Sequence, residues 1–160
     1  KCCRSAVEVH NPYPTTFNYK EQYLYTMSTL ETRINQSETR IFKAVFPNTT
    51  NHYDTLFGGT TLHMMDEAAF ICATRFTRMK VVTVSTDKIN FTKPIPEGTI
   101  VELIARIEKV GRTSCVVRVD IFMEDMYSTN REKVVTGYFT FVAIGDDKKP
   151  QEIVKSDSTS

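Results

Sequence analysis

One helical period set inside a long run of alternation constrains this chain more than anything else in it. In TTLHMMDEAAFICATRF, Thr60–Phe76, the residues Leu62, Met65, Ala69, Ala73 and Phe76 recur at the spacing that places them on one helix face. Two adjacent glycines, Gly58 and Gly59, stand at the mouth of that helix. From residue 81 onward the period becomes two and the composition turns to Val, Ile, Thr and Phe, which reads as strands over 81–91, 99–110, 113–123 and 133–144. An earlier strand is expected over 38–46, ended by Pro47. Val101, Leu103, Ala105 and Ile107 share one face of their strand, as Cys115, Val117, Val119, Ile121 and Met123 do of theirs. Gly98 and Gly111 fall where tight turns call for unusual backbone angles. Strands this close in sequence pair antiparallel, because a parallel return needs a crossover of about a dozen residues. The expected fold is therefore α+β: a strand, a helix, then a four-strand meander, with the helix lying in the concave face of the sheet.

Composition removes several classes of function. At 160 residues the chain is one domain's worth, and 41% hydrophobic with 24% charged residues is a globular balance. A formal net charge of +1 gives no general pull toward nucleic acid. No apolar run approaches the ~18–20 residues of a membrane span, so no membrane role is expected. The four cysteines make no Cys-x-x-Cys pair and no zinc-spaced cluster, so no metal is expected. Cys72 and Cys115 stand singly in apolar stretches, which suits free thiols in a reducing, cytoplasmic setting. Residues 1–26 show no sustained period, and Met27 opens MSTLETRINQSETRIFKAVFP, which reads like a natural start. The organisation read from this is a disordered or non-native extension over 1–26, one domain over 27–145, and a polar tail over 146–160.

Two features of the helix carry chemistry. Asp66 falls between core-facing positions of a helix that is apolar or small around it, and a carboxylate there is costly unless hydrogen-bonded, open to a cleft or retained for function. A rim position or an ion pair with a nearby cation explains it equally well on spacing alone. Glu67, four residues after His63, reads as that histidine's surface partner. The glycine pair leaves backbone N–H groups unshielded at the positive helix end, which suits a developing oxyanion or simply a tight entry turn. Gly59 and Asp66 are seven residues apart, about 10 Å along the helix, too far to act on one atom within one chain. Two antiparallel copies of the helix across a dimer bring them together, which implies an intersubunit site.

Taken together, T-L-F-G-G, M-D-E-A-A, V-T-V-S-T-D and F-T-K-P-I-P-E-G, between Glu38 and Ile144, resemble the hotdog-fold acyl-CoA thioesterases of the bacterial short-chain and brain-type acyl-CoA hydrolase group. The resemblance implies a hotdog fold, a long helix wrapped by an antiparallel sheet of about five strands, and hydrolysis of acyl-CoA without cofactor or metal. It implies that Asp66 is the catalytic carboxylate, that the Gly58 and Gly59 backbone supplies the oxyanion donor, and that Thr55 also faces the site. It suggests a homo-oligomer, a trimer of dimers. One departure from the pattern is Asp54, where close relatives often carry Gly. For the coenzyme A moiety, whose phosphates call for cations, the candidates are Lys93 and Arg112, with Thr113 and Ser114 as hydrogen-bond donors.

No G-x-S-x-G elbow is present, and none of His10, His52 and His63 adjoins a nucleophile motif, which disfavours a Ser-His-Asp hydrolase. Asp66 remains, as general base on water or as a nucleophile. Two rival readings use the same residues: a non-catalytic acyl-CoA-binding module in which Asp66 is structural, and a hotdog dehydratase, whose sites usually pair a histidine with the carboxylate.

Overall fold

The computed structural model describes residues 29–153. The described residues from Arg33 onward form one compact unit that carries the whole sheet. The expected extension over 1–26 lies outside the described residues.

Residues 29–37 are helical (α1). Strand β1 (Thr39–Ala44) and a 3-10 turn (Pro47–Thr49) lead to the long helix α2 (Gly58–Thr77), followed by β2 (Lys80–Phe91), β3 (Thr99–Val110), β4 (Ser114–Asp125) and β5 (Arg131–Ile144). All five strands form one antiparallel sheet in the order β1-β3-β4-β5-β2.

The four-strand meander is corrected here: β3, β4 and β5 form one, but β2 pairs with β5 at the far edge and β3 takes β1 as its other neighbour. The cause lies in the connector over 92–98. Pro94 and Pro96 lack the N–H groups a hairpin ladder needs, so the segment straps across the end of the sheet instead. Three strand spacings are about 14 Å, well within the reach of seven extended residues. The strap is tied down by Thr92 N–H to Val134 O (2.9 Å), Leu56 N–H to Ile95 O (2.7 Å) and Gly98 N–H to Val45 O (2.9 Å). Gly98 has the expected positive φ, 72°, whereas Gly111 does not. Gly111 is instead confined by packing, since a Cβ there would come 2.9 Å from Ser114 Oγ.

The core forms where the two periods meet. Met65, Ala68, Ala69, Cys72, Ala73 and Phe76 of α2 are almost wholly buried against Val101, Leu103 and Ala105 of β3, Val117, Val119 and Ile121 of β4, and Phe139 and Phe141 of β5. Three alanines on that face let the helix lie close to the sheet. Gly137 of β5 lets it lie closer still: a Cβ there would stand 2.9 Å from Met65 Cε and closer to Ile89 Cδ1. Leu62, expected in the core stripe, is 38% exposed. The sheet covers the face carrying Met65, Ala69 and Cys72, which leaves the stripe of Leu62, Asp66 and Phe70 turned toward the open side.

On the opposite face of the sheet Glu102 is buried between Arg40 Nη1 (3.0 Å) and Arg131 Nη2 (2.5 Å), and the Arg131 guanidinium lies 3.8 Å from the Phe122 ring centroid. Residues 146–152 are exposed, as a polar tail should be, but the reading of the segment as simply solvated is corrected at its described end. Gln151 N–H bonds Ala143 O, Ile153 N–H bonds Arg112 O, and Ile153 is buried.

Candidate active site

The entry to α2 is built from backbone. Leu56 N–H is used by Ile95 O and Phe57 N–H by Thr49 O (3.1 Å), while the first helical bond is Thr61 N–H to Phe57 O (2.9 Å). Between them the N–H groups of Gly58, Gly59 and Thr60 have no acceptor among the described residues, and the N-cap Phe57 offers no capping side chain. A Cβ on Gly58 would meet nothing within 4 Å, so this face is open; one on Gly59 would stand 2.7 Å from Phe57 Cε1. The helix mouth is therefore a set of unclaimed donors at the positive end of a 20-residue helix.

The loop before it is organised by Asn51, which the sequence reading did not single out. Its Oδ1 accepts from Tyr53 N–H (2.9 Å), Thr55 N–H (3.3 Å) and Thr55 Oγ1 (3.1 Å). Thr55 is thus half-buried with its hydroxyl proton turned back into the loop. Asp54 has φ 57°, its N–H bonded to Asn51 O (3.1 Å) and its carbonyl to Glu97 N–H (3.0 Å). The left-handed backbone explains why glycine suits this position in similar sequences, and aspartate is among the few other residues that tolerate it. The departure at Asp54 therefore leaves the turn intact and adds a carboxylate to its tip.

Asp66 lies half-buried on the open side of α2, two turns from the helix mouth. Its Oδ1 accepts a hydrogen bond from Thr83 Oγ1 at 3.2 Å, and no cation pairs with it among the described residues. The ion-pair explanation is thereby removed. Thr83 stands on β2 opposite Phe141, on the side of the sheet that faces the helix. Its signal was available as a hydroxyl at an inward-facing place in V-V-T-V. His63 and Glu67 are both exposed and form no ion pair with each other, a correction that fits the small worth of such surface pairs.

Gly59 and Asp66 stay about 10 Å apart within the chain, as helix geometry requires. The candidate coenzyme A residues are not brought together either. Lys93 Nζ is held by Glu132 Oε2 (2.5 Å) at the end of the sheet where β5 begins. Arg112, largely exposed and 3.8 Å from Glu152, lies in the turn at the opposite end, about 30 Å away along the strands. Beside it Thr113 O accepts from Ala143 N–H (2.9 Å), and Ser114 opens β4 against Gly111. Cys72 and Cys115 are buried free thiols whose pKa values burial pushes up to about 11 and about 12, so neither supplies a thiolate nucleophile. Among the described residues no group of three or more His, Cys, Asp or Glu side chains is arranged to hold a metal, and no helix is long and apolar enough to cross a membrane.

A long helix wrapped by one five-strand antiparallel sheet is the hotdog architecture. Residues 53–129 match the thioesterase superfamily model. An uncharacterized acyl-CoA thioester hydrolase of Zymomonas mobilis is 36% identical over 122 residues, 76% of this chain and 82% of that protein. The Staphylococcus aureus acyl-CoA hydrolase, solved with butyryl coenzyme A and coenzyme A, superposes with a TM-score of 0.72 at 37% identity, over 74% of this chain and 73% of that one. A hexameric acyl-CoA thioesterase superposes equally well, TM-score 0.72 at 31% identity over 74% of this chain and 76% of that one. The chain belongs to the thioesterase superfamily, within its acyl-CoA thioester hydrolases, and is an enzyme of that class.

Proposed function

We propose that Asp66 is the general base in hydrolysis of acyl-CoA thioesters to free acid and coenzyme A, and that the Gly58 and Gly59 amides of a second copy hold the oxyanion. The observation that carries this reading is the Asp66 carboxylate itself: without a cation partner among the described residues, oriented through Oδ1 by Thr83, and on the side of the helix the sheet leaves open. Water attacks the thioester carbonyl carbon and gives its proton to Asp66. The oxyanion so formed is stabilised by the backbone donors, and its collapse breaks the C–S bond and releases the coenzyme A thiolate, which takes up the proton.

The two-copy site follows from the 10 Å gap, and the exposed β2 edge, with Val82 40% and Val84 55% accessible, supports an antiparallel dimer there. A trimer of such dimers is the assembly we infer, in keeping with the hexameric similar structure. Thr55 shapes the loop over the thioester. Lys93 and Arg112, the latter with Thr113 and Ser114, would contact coenzyme A from different subunits, since one chain holds them far apart. A cytoplasmic location suits the two free buried thiols.

Asp66→Asn tests the base. Thiol release should fall by ~10²–10⁴-fold with acyl-CoA binding retained, the loss expected for a positioned base. Near-normal turnover would remove Asp66 from the chemistry.

A further inference from the structure

Beyond β5 the chain turns back on itself and comes to lie beside Arg112. Gly145 N–H bonds Lys149 O (2.9 Å), and Lys148, at φ 61°, gives its N–H to Gly145 O (3.0 Å). A Cβ on Gly145 would stand 2.6 Å from Gln151 Nε2 and 2.9 Å from Asp147 Oδ1, so glycine is what keeps this turn tight. Pro150 then bridges antiparallel to Ile144, Gln151 N–H bonds Ala143 O (2.8 Å), and Ile153 N–H bonds Arg112 O (2.9 Å). Ala143 gives its N–H to Thr113 O and its carbonyl to Gln151, so the returning segment lies on the same side of β5 as β4. Ile153, only 5% exposed, anchors the end of it. Glu152 stands between these two anchors. Backbone bonding and apolar burial therefore set its carboxylate beside the Arg112 turn, whatever its charge.

Glu152 Oε1 is 3.8 Å from Arg112 Nη1, close enough to attract and too far for a hydrogen bond. The other two acids of the segment are occupied elsewhere, Asp146 by Lys80 (2.7 Å) and Asp147 by Lys149 (3.9 Å). The Arg112 guanidinium, 82% exposed, thus keeps its donors unused among the described residues while a carboxylate waits next to them.

We propose that Glu152 is a resident competitor for the coenzyme A phosphates at Arg112 and so limits how tightly substrate and product are held; the inference rests on the assignment of Arg112 to coenzyme A above. A phosphate arriving at Arg112 meets a guanidinium already part-neutralised, and it meets the repulsion of the carboxylate as well. The forked arginine–phosphate contact is the stronger of the two, so substrate still binds, with an affinity reduced by what the resident pair is worth. For a pair this exposed the reduction is roughly two- to fivefold. Coenzyme A is both the handle of the substrate and the product, and a contact that holds the two alike slows release without helping the chemical step.

The test compares thiol release from butyryl-CoA with that from S-butyryl-pantetheine, which carries the same thioester and no phosphate. Glu152→Gln should lower the KM for butyryl-CoA and the inhibition constant of free coenzyme A by the same roughly two- to fivefold, with kcat and the pantetheine thioester kinetics unchanged. Glu152→Lys should lower both constants further. In an Arg112→Ala background neither substitution should act through the lost pair, so Glu152→Gln should change nothing there. At 1 M salt, where the screening length is about 3 Å, parent and Glu152→Gln should converge. An unchanged KM for butyryl-CoA in Glu152→Gln, while Arg112→Ala raises it, would overturn this inference alone. So would an equal drop with the pantetheine thioester, or a drop that persists without Arg112. A normal KM in Arg112→Ala would overturn the assignment of Arg112 to coenzyme A, and this inference with it.

Discussion

Adding one methyl group at Gly59 sets two calculable effects against each other. A helical glycine replaced by alanine gains up to ~1 kcal/mol of propensity. At Gly59 the new Cβ would stand 2.7 Å from Phe57 Cε1 and 3.2 Å from Cδ1, too close for either to stay. The backbone of the N-cap is fixed by Phe57 N–H to Thr49 O, so the ring must give way. It is 57% exposed, so it can swing, at a cost of roughly 0.5–1.5 kcal/mol for an off-rotamer side chain. Gain and cost nearly cancel, and the melting temperature of Gly59→Ala should stay within a few degrees of the parent. Activity should not be preserved. The added methyl and the ring it displaces both stand beside the Gly58, Gly59 and Thr60 amides, and loss of one oxyanion donor costs on the order of 10²–10³ in kcat. Gly58→Ala is the internal control for the stability arithmetic: with nothing within 4 Å it should raise stability by about 0.5–1 kcal/mol. Thermal melts and thiol-release kinetics on both variants decide the matter. Full kcat in Gly59→Ala at an unchanged melting temperature would refute the assignment of the helix mouth as the oxyanion site.

Two further outcomes follow from the loop and the sheet. Asp54→Val should destabilise by about 1–2 kcal/mol in denaturant unfolding, because a β-branched residue resists φ 57°, while Asp54→Gly should fall within ~0.5 kcal/mol of the parent. Glu38 is held below the usual carboxylate range by hydrogen bonds from Arg106 (2.6 Å) and then Arg40 (2.7 Å). Its contribution is complete above the unfolded glutamate pKa and disappears as pH falls through the lowered folded value, so the acid limb of a stability–pH curve should be shallower in Glu38→Gln. The difference should be a few tenths of a kcal/mol at most, because both arginine partners are half exposed and water screens the pairs.

What the sequence disclosed and what it withheld have physical reasons. The face of α2 was legible because Met65, Ala69, Ala73 and Phe76 obey one period and are all buried. Leu62 obeys the same period but sits where the sheet no longer covers the helix, and periodicity cannot see where a neighbour ends. Strand extents were legible from alternation, yet strand order was not, since a seven-residue connector reads alike whether it turns back or straps across an edge. Helix α1 left only a faint trace, Leu30 and Ile34 at one-turn spacing among polar residues. At the site, the carboxylate and the glycines announced themselves by residue type, whereas Asn51 and Thr83 act through ordinary hydrogen bonds that only the folded chain creates.

The strap that carries the chain from β2 to β3 has a consequence in time. The hairpins β3–β4 and β4–β5 close between neighbours in sequence, whereas β2 must wait for β5, the last strand made, and β1 must wait for β3. Closing such long loops is entropically slow, so the two local hairpins and the helix laid on them should condense first, with the outer strands joining afterwards. Thr83 rides on β2, so the contact that orients Asp66 belongs to the late stage. Pulse-labelled amide exchange during refolding should find β4 protected well before β2, and simultaneous protection would contradict the sequence of events. A chain halted at the intermediate would already possess its hydrophobic interior and still be catalytically mute.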